Sequence, residues 1–321
     1  MSESVVVRVP ASTSNLGAGF DCIGASVDRW LTLTASRAPG REGFTLGREG
    51  TLATLRDLPA DDDRIVAGFR AACRRARADV PDGVRLDATS RIPIGRGLGS
   101  SAAATVAGAL AANTLLALGL SERSLAVACA EVEGHPDNVV PALYGGARLA
   151  LKGADGGLLV SGLDVHPSLA FVFAIPSFAV ETTHARSVLP ATVPHATASR
   201  AAALGAGLVQ GLGTANEGLL AAALDDVLHV PFRRALVVGY DAIVRAAKRA
   251  GAFGATLSGS GSTLVAVTRR ARAESVAEAM AEVWRALGVA SETLVNPPVV
   301  GGANITYNQT LTSSEQRLQW L

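Results

Sequence analysis

Apolar and polar positions alternate with a period of two in three early stretches, residues 5–9, 27–35 and 84–89, each bounded by glycine-rich turns. Successive side chains on a strand face opposite ways, so this pattern predicts three strands. A glycine–serine segment follows, and then a run of strong helix formers over 101–118, with Gly119 placed to end it. Ser121 stands as N-cap of a second helix running to about Glu133. Residues 152–162, with ADGG inside, read as a hairpin near a domain boundary, and the apolar run 169–175 reads as a strand. Further on, 240–251 predicts a helix, 255–257 and 263–268 predict strands around SGSGS, and 273–287 predicts an amphipathic helix. Val276, Met280, Val283, Trp284 and Leu287 share one face of that last helix, and core packing is their expected use. No fixed-period repeat occurs. The resulting division is residues 1–160 as one domain, 161–306 as a second, and 307–321, with Trp320 near its end, as a polar tail without an evident role.

Composition narrows the function classes. The 321 residues are 49% hydrophobic and 18% charged with a formal charge of +1, which suits a globular protein and supplies no broad attraction for nucleic acid or anionic lipid. A small-molecule substrate is therefore expected, with neither a nucleic acid nor a membrane as partner. Cys22, Cys73 and Cys129 are odd in number and far apart, so they suggest neither a disulfide framework nor a zinc site. The opening MSESVVVRVP lacks the basic start and long apolar stretch of a secretory signal, and the expectation is a cytoplasmic protein. The apolar stretch 102–118 is interrupted by Gly108, Asn113 and Thr114, which predicts a buried helix rather than a membrane span.

Candidate chemistry lies in three glycine segments. In PIGRGLGSSAA, Pro93, Ile94, Gly95, Arg96, Gly97, Leu98, Gly99, Ser100, Ser101, Ala102 and Ala103 form a curled loop entering a helix. Backbone N–H groups at such a junction, reinforced by the helix dipole, hold a phosphate chain, and the serine hydroxyls reach a phosphate oxygen or Mg²⁺. A Walker loop requires a lysine before its Ser/Thr, yet the chain's two lysines, Lys152 and Lys248, follow no such loop. The GxGxG spacing also fails the dinucleotide-binding pattern, whose third glycine belongs where Ser100 stands. The second segment, ASTSNLGAGFDCIG, places Asn15 and Asp21 on either side of a GAG turn. In the third, FGATLSGSGSTLVAV, Ser258, Gly259, Ser260 and Gly261 form either a hairpin turn or a second anion-contacting loop.

In order and spacing, these segments resemble the three motifs of the GHMP kinases, over most of the chain. VPASTSNLGAGFDCIG, EGHPDNVVPALYGG and ETTHARSVLP are similar to the branch of that family acting on L-homoserine. The resemblance implies an α+β fold, a two-domain arrangement with an N-terminal ribosomal-protein-S5-domain-2-like domain and a C-terminal ferredoxin-like domain. It also implies ATP and Mg²⁺ as cofactors, L-homoserine as acceptor, a product on the route to threonine, and a homodimer. Other readings are a relative acting on a different alcohol, mevalonate-type or shikimate-type, and a catalytically silent nucleotide binder.

By the same resemblance, Asp21 takes the substrate ammonium with Asn15 beside it, Arg186 and Arg233 clamp the carboxylate with Arg234 as substitute for its neighbour, and His135 and Asn138 line the acceptor end. Asn138 is expected to orient the attacking hydroxyl, and no base is required, so Asp137 is not assigned that role. Ser101 and a glutamate ending the second helix, Glu133 in preference to Glu131, are the implied magnesium ligands. Three positions depart from the family pattern. Arg96 stands where a small residue is frequent, Ser262 where proline is frequent, and Asp63-Arg64 where an acidic residue and an asparagine are expected. At the last, either Arg64 stacks on the adenine base or nucleotide preference is relaxed.

Overall fold

The computed structural model describes residues 4–154, 156–297 and 300–307. The first part of the chain runs β1 (Ser4–Asn15), β2 (Gly19–Arg37), β3 (Phe44–Gly50), α1 (Arg64–Ala76), β4 (Val84–Ser90), α2 (Ser100–Leu115), α3 (Glu122–Glu133), α4 (Val139–Tyr144), β5 (Ala147–Lys152) and β6 (Leu158–Leu163). The second runs β7 (Leu169–Pro176), α5 (Thr182–Ser187), α6 (His195–Thr214), α7 (Glu217–Ala223), α8 (Val230–Arg233), α9 (Tyr240–Arg249), β8 (Ala252–Leu257), β9 (Leu264–Arg269), α10 (Ala273–Ala286), β10 (Ser291–Asn296) and β11 (Asn304–Tyr307).

The first sheet is ordered β11-β1-β2-β4-β3, with the β5–β6 hairpin attached to β2. Pairing is antiparallel except between β3 and β4, whose connection through α1 permits the parallel arrangement. Residue 160 lies inside β6, and the chain returns at its end to place β11 beside β1. The second sheet is antiparallel in the order β10-β7-β9-β8. With α9 before β8 and α10 before β10, this is the βαββαβ succession of a ferredoxin-like unit. All eight residues of β7 are buried, because the strand is covered on both faces. Phe171, Phe173 and Ile175 join the core of the first sheet, while Ala170, Val172 and Ala174 join that of the second.

The predicted strands are present, β9 keeping its length but shifted by one residue, and β1 runs longer than its apolar run because it continues through the polar ASTSN, whose side chains are also buried. α2 ends at Leu115, three residues short of the expected end, and Gly119 lies beyond it. On α10, Val276, Met280 and Trp284 are buried and Val283 is partly so, but Leu287 is 51% exposed. It falls one residue past the helix, where the periodicity no longer applies. The predicted hairpin is β5–β6, its residue 155 lying outside the described residues. Of the tail 307–321, all but Tyr307 lies outside them as well. Cys73 and Cys129 are buried free thiols and Cys22 is partly buried and free. Among the described residues no helix is long and apolar enough to cross a membrane.

Candidate active site

α2 is packed between β1 and β2 on one side and α1 and α3 on the other, which explains its apolar surface nearly all round and fixes its N-terminus in place. The loop ahead of it curls through positive φ at Gly97 (72°) and Gly99 (64°). A Cβ on Gly97 would stand 2.1 Å from the Ser258 carbonyl oxygen, and one on Gly99 2.1 Å from Ser12 Oγ. Glycine is therefore required on both conformational and steric grounds. Among the described residues no side chain caps the first turn of α2, so its N–H groups can serve a ligand in the cleft lined by Ile94, Gly95, Gly97, Gly99, Ser100, Ser101 and Ala102.

That cleft has a volume of about 460 Å³ and holds the carboxylate of Glu133, whose side chain is 4% exposed. Glu133 accepts hydrogen bonds from Ser101 Oγ and, at 2.8 Å, from Thr105 Oγ1 one helical turn later. Glu131 is exposed and lines a different hollow with Arg74, Arg75 and Arg77, because residues two apart on a helix face apart. A buried carboxylate beside a serine hydroxyl is an oxygen donor set that suits Mg²⁺ when phosphate oxygens and waters complete the shell. Among the described residues no group of three or more His, Cys, Asp or Glu side chains could hold a metal ion without them.

The other end of the cleft carries opposite charges. Asp21, in a left-handed turn at φ 57°, accepts two hydrogen bonds from Arg186 at 2.8 and 3.1 Å. This carboxylate contact, against the opposing effect of burial, raises the Arg186 guanidinium above its ordinary range. Arg233 is 2% exposed, donates Nε to the Ala185 carbonyl at 2.9 Å and lies over the Phe20 ring. Burial and then the neighbouring Arg186 press its pKa downward. Arg234 instead lies outside this cleft, 3.4 Å from Asp241 at the surface. His135 Nδ1 and Asp137 Oδ1 are 2.5 Å apart. Burial acts to lower the His135 pKa, but the Asp137 hydrogen bond and charge outweigh it and the net shift is upward.

Buried hydroxyls and amides join the two ends. Ser12 Oγ donates to Asn138 Oδ1 at 3.0 Å, and Asn138 Nδ2 donates to Ser14 Oγ at 2.9 Å. Asn15 accepts from the Asp21 N–H at 3.0 Å and donates to the Gly259 carbonyl at 2.9 Å. Ser258 Oγ donates to the Gly97 carbonyl at 2.6 Å and lies 2.8 Å from Thr13 Oγ1. The three glycine segments, remote in sequence, thus meet around one cavity.

Of the residues singled out in the sequence, Asn15, Asp21, His135, Asn138, Arg186, Arg233, Gly259 and Ser260 line the cleft with the loop and Glu133. Leu98 and Ala103 turn into the core, Pro93 and Arg96 line an adjoining hollow, and Ser258 supports the loop from behind. Arg96 reaches away to donate to the Ser177 carbonyl at 2.9 Å, and the Ser262 hydroxyl donates to the Phe178 carbonyl at 2.5 Å, which accounts for two of the departures. Ser14, Arg64, Asp137, Thr182 and Thr183 also line the cleft. Thr105, four residues after Ser101 and hence on the same helix face, was open to discovery by spacing alone.

Comparison with known proteins gives the same outline. The model of the GHMP kinases N terminal domain matches residues 64–146, and that of GHMP kinases C terminal matches 198–286. The chain is 42% identical over 292 residues to the homoserine kinase of Synechococcus sp. (strain ATCC 27144 / PCC 6301 / SAUG 1402/1), covering 89% of this chain and 92% of that one. It is 41% identical over 287 residues to the homoserine kinase of Trichormus variabilis, covering 89% and 93%. The crystal structure of homoserine kinase from Cytophaga hutchinsonii superposes with a TM-score of 0.85 at 30% identity, covering 95% of this chain and 98% of that one. The L. major mevalonate kinase, at 17% identity and a TM-score of 0.63 over 92% and 96%, shares the fold.

Proposed function

Because the chain belongs to the GHMP kinases, and within them to the homoserine kinases, we propose that its cleft transfers the γ-phosphoryl group of ATP to the side-chain hydroxyl of L-homoserine, giving O-phospho-L-homoserine and ADP. The observation that carries this reading is the polarity of one cavity: Ser101 and Glu133 at a helix N-terminus on one side, Asp21, Arg186 and Arg233 on the other. The first end suits a polyphosphate, and the second presents both charges that a zwitterionic amino acid needs. Asp21 and Arg186 neutralise each other in the free protein. A bound zwitterion replaces that contact with two of its own, its ammonium on Asp21 and its carboxylate on Arg186 and Arg233.

Magnesium, held by Glu133 and Ser101, supplies charge neutralisation to the phosphate chain when bound. The protein's own part is placement. Loop N–H groups and the α2 N-terminus hold the phosphates, and Asn138, its amide plane fixed by Ser12 and Ser14, orients the hydroxyl. The hydroxyl oxygen bonds to the γ-phosphorus as the bond to the β-bridging oxygen breaks and its electron pair leaves with ADP. The hydroxyl proton passes to a phosphoryl oxygen and then to solvent. Asp137 is engaged by His135, consistent with a reaction that requires no carboxylate base. The compartment carried by this reading is the cytoplasm and the assembly, by resemblance, a homodimer.

A coupled assay of ADP release offering homoserine, mevalonate, shikimate and galactose separates the alternatives. Turnover with homoserine alone is expected, and turnover only with an alcohol that is not an amino acid would refute the assignment.

A further inference from the structure

Arg64 opens α1, at the position where the sequence departs from the family pattern. Its neighbour Asp63 fixes that helix start by accepting from the Ile65 N–H at 2.8 Å and from Arg48 at 2.8 and 2.9 Å, in an ion pair almost fully buried. α1 in turn packs closely on α2, with Gly68 directly against the Thr105 backbone. The base of the Arg64 side chain is thereby held at a set distance from the phosphate loop and from Thr105, which bonds Glu133.

The side chain turns toward the phosphate end of the cleft. Nη1 donates to the Val132 carbonyl at 3.3 Å and lies 3.8 Å from Glu133 Oε1. Glu133 is almost fully buried there, but Arg64 remains 51% exposed and lines the cavity together with Gly97, Gly99, Ser100 and Ser101. One carbonyl bond and a loose ion pair leave most of the five guanidinium donors for a ligand. Among the described residues the other two arginines lining the cleft, Arg186 and Arg233, stand at its opposite end around Asp21, and neither lysine lines it. A nucleotide polyphosphate entering beside the Glu133 carboxylate meets Arg64 as the cationic side chain at its own end. A planar fork matches phosphate oxygens in geometry as well as charge.

Resting on the kinase reading above, we propose that Arg64 is a phosphate-contacting residue of the nucleotide site. It neutralises Glu133 while the cleft is free and turns its guanidinium onto the phosphate chain when nucleotide binds. This is an alternative to stacking on adenine, argued from a guanidinium that lies beside the carboxylate Ser101 bonds.

Calorimetric titration with ADP and with adenosine, in EDTA so that no metal takes part, tests the proposal on wild type, Arg64→Gln and Arg64→Lys. Arg64→Gln is expected to weaken ADP binding about 5- to 20-fold, the scale of one partly exposed charge-assisted contact, and to leave adenosine unchanged. Arg64→Lys should recover part of the loss, since it keeps the charge without the fork. Equal losses for ADP and adenosine would overturn the proposal in favour of stacking, and unchanged ADP binding would overturn it outright. A wild-type protein that binds neither ligand would instead remove the nucleotide reading on which it rests. Thermal unfolding of each variant identifies any loss that comes from misfolding.

Discussion

The side-chain amide of Asn138 is held from both sides, accepting from Ser12 and donating to Ser14, so its plane is set before any substrate arrives. This is preorganisation at the level of one residue, and in the proposed reaction the second amide N–H serves the acceptor hydroxyl. Asn138→Ala should lower kcat by about a hundredfold, the size typical of a lost positioning donor, with the KM for ATP changed far less. Steady-state kinetics with ATP varied at saturating homoserine checks this, and an unchanged kcat would exclude Asn138 from the chemistry. At this scale the sequence was informative where residue type and neighbours both constrain the role. His135 and Asn138 within GHPDN, Asp21 after GAG and Glu133 before a helix-stopping glycine all fall in one cleft. The proximity of Arg64 to Glu133 was not legible, because its local context, the first turn of a helix, carries no record of which tertiary neighbour its long side chain will meet. Ser12 and Ser14 were passed over because small polar residues after a strand look like a solvated turn, whereas β1 carries them into the interior.

At the scale of elements, the phosphate loop is shaped by what lies behind it. Gly97 touches the backbone of the third glycine segment, and Ser258 donates to the Gly97 carbonyl, so the loop is a packed part of the structure. Gly97→Ala places a methyl group 2.1 Å from a carbonyl oxygen at a residue with φ 72°. The expected result is a loss of about 2 kcal/mol or more in folding stability and at least a tenfold rise in the KM for ATP, measured by urea unfolding and by kinetics. An unaltered KM would show that the loop does not hold the phosphates. The loop's existence was plain in the sequence, since three glycines and two serines ahead of an alanine-rich helix leave few other uses. Its partner was not, because contact between residues 97 and 258 is a product of topology. The extents of β1 and α2 escaped periodicity for a related reason: burial on several sides removes the alternation that marks an element's end.

For the whole molecule, the end of the cleft around Asp21 and Arg233 adjoins a contact between the two parts of the chain. His229, fully buried ahead of α8, stacks on Phe20 at 5.0 Å and donates Nε2–H to the Gly17 carbonyl at 3.2 Å. Its Nδ1 is left to accept from Arg233 at 3.4 Å. Burial, partly opposed by Asp226 and assisted by Arg233, pushes its pKa down to about 4 from an ordinary 6.5. Between those values the unfolded chain binds more protons than the folded one, so stability rises with pH across the window and is lost on acidification. The urea midpoint should therefore fall from about pH 7 to about pH 5 more steeply for the wild type than for His229→Gln. Parallel slopes would assign the acid sensitivity elsewhere. At this scale the two-part α+β plan came from motif resemblance, and the sheet orders and family matches agree with it. Strand pattern alone did not reveal the return of β11 to the first sheet, a pairing between residues 5–8 and 304–307. In the proposed function one cavity couples a polyphosphate end to a zwitterion end, and phosphorus NMR of a mixture of protein, Mg²⁺, ATP and L-homoserine tests it most directly. A new phosphomonoester resonance growing in step with ADP, and absent when homoserine is omitted, is the expected result; ATP that stays intact or yields only ADP and inorganic phosphate would contradict it.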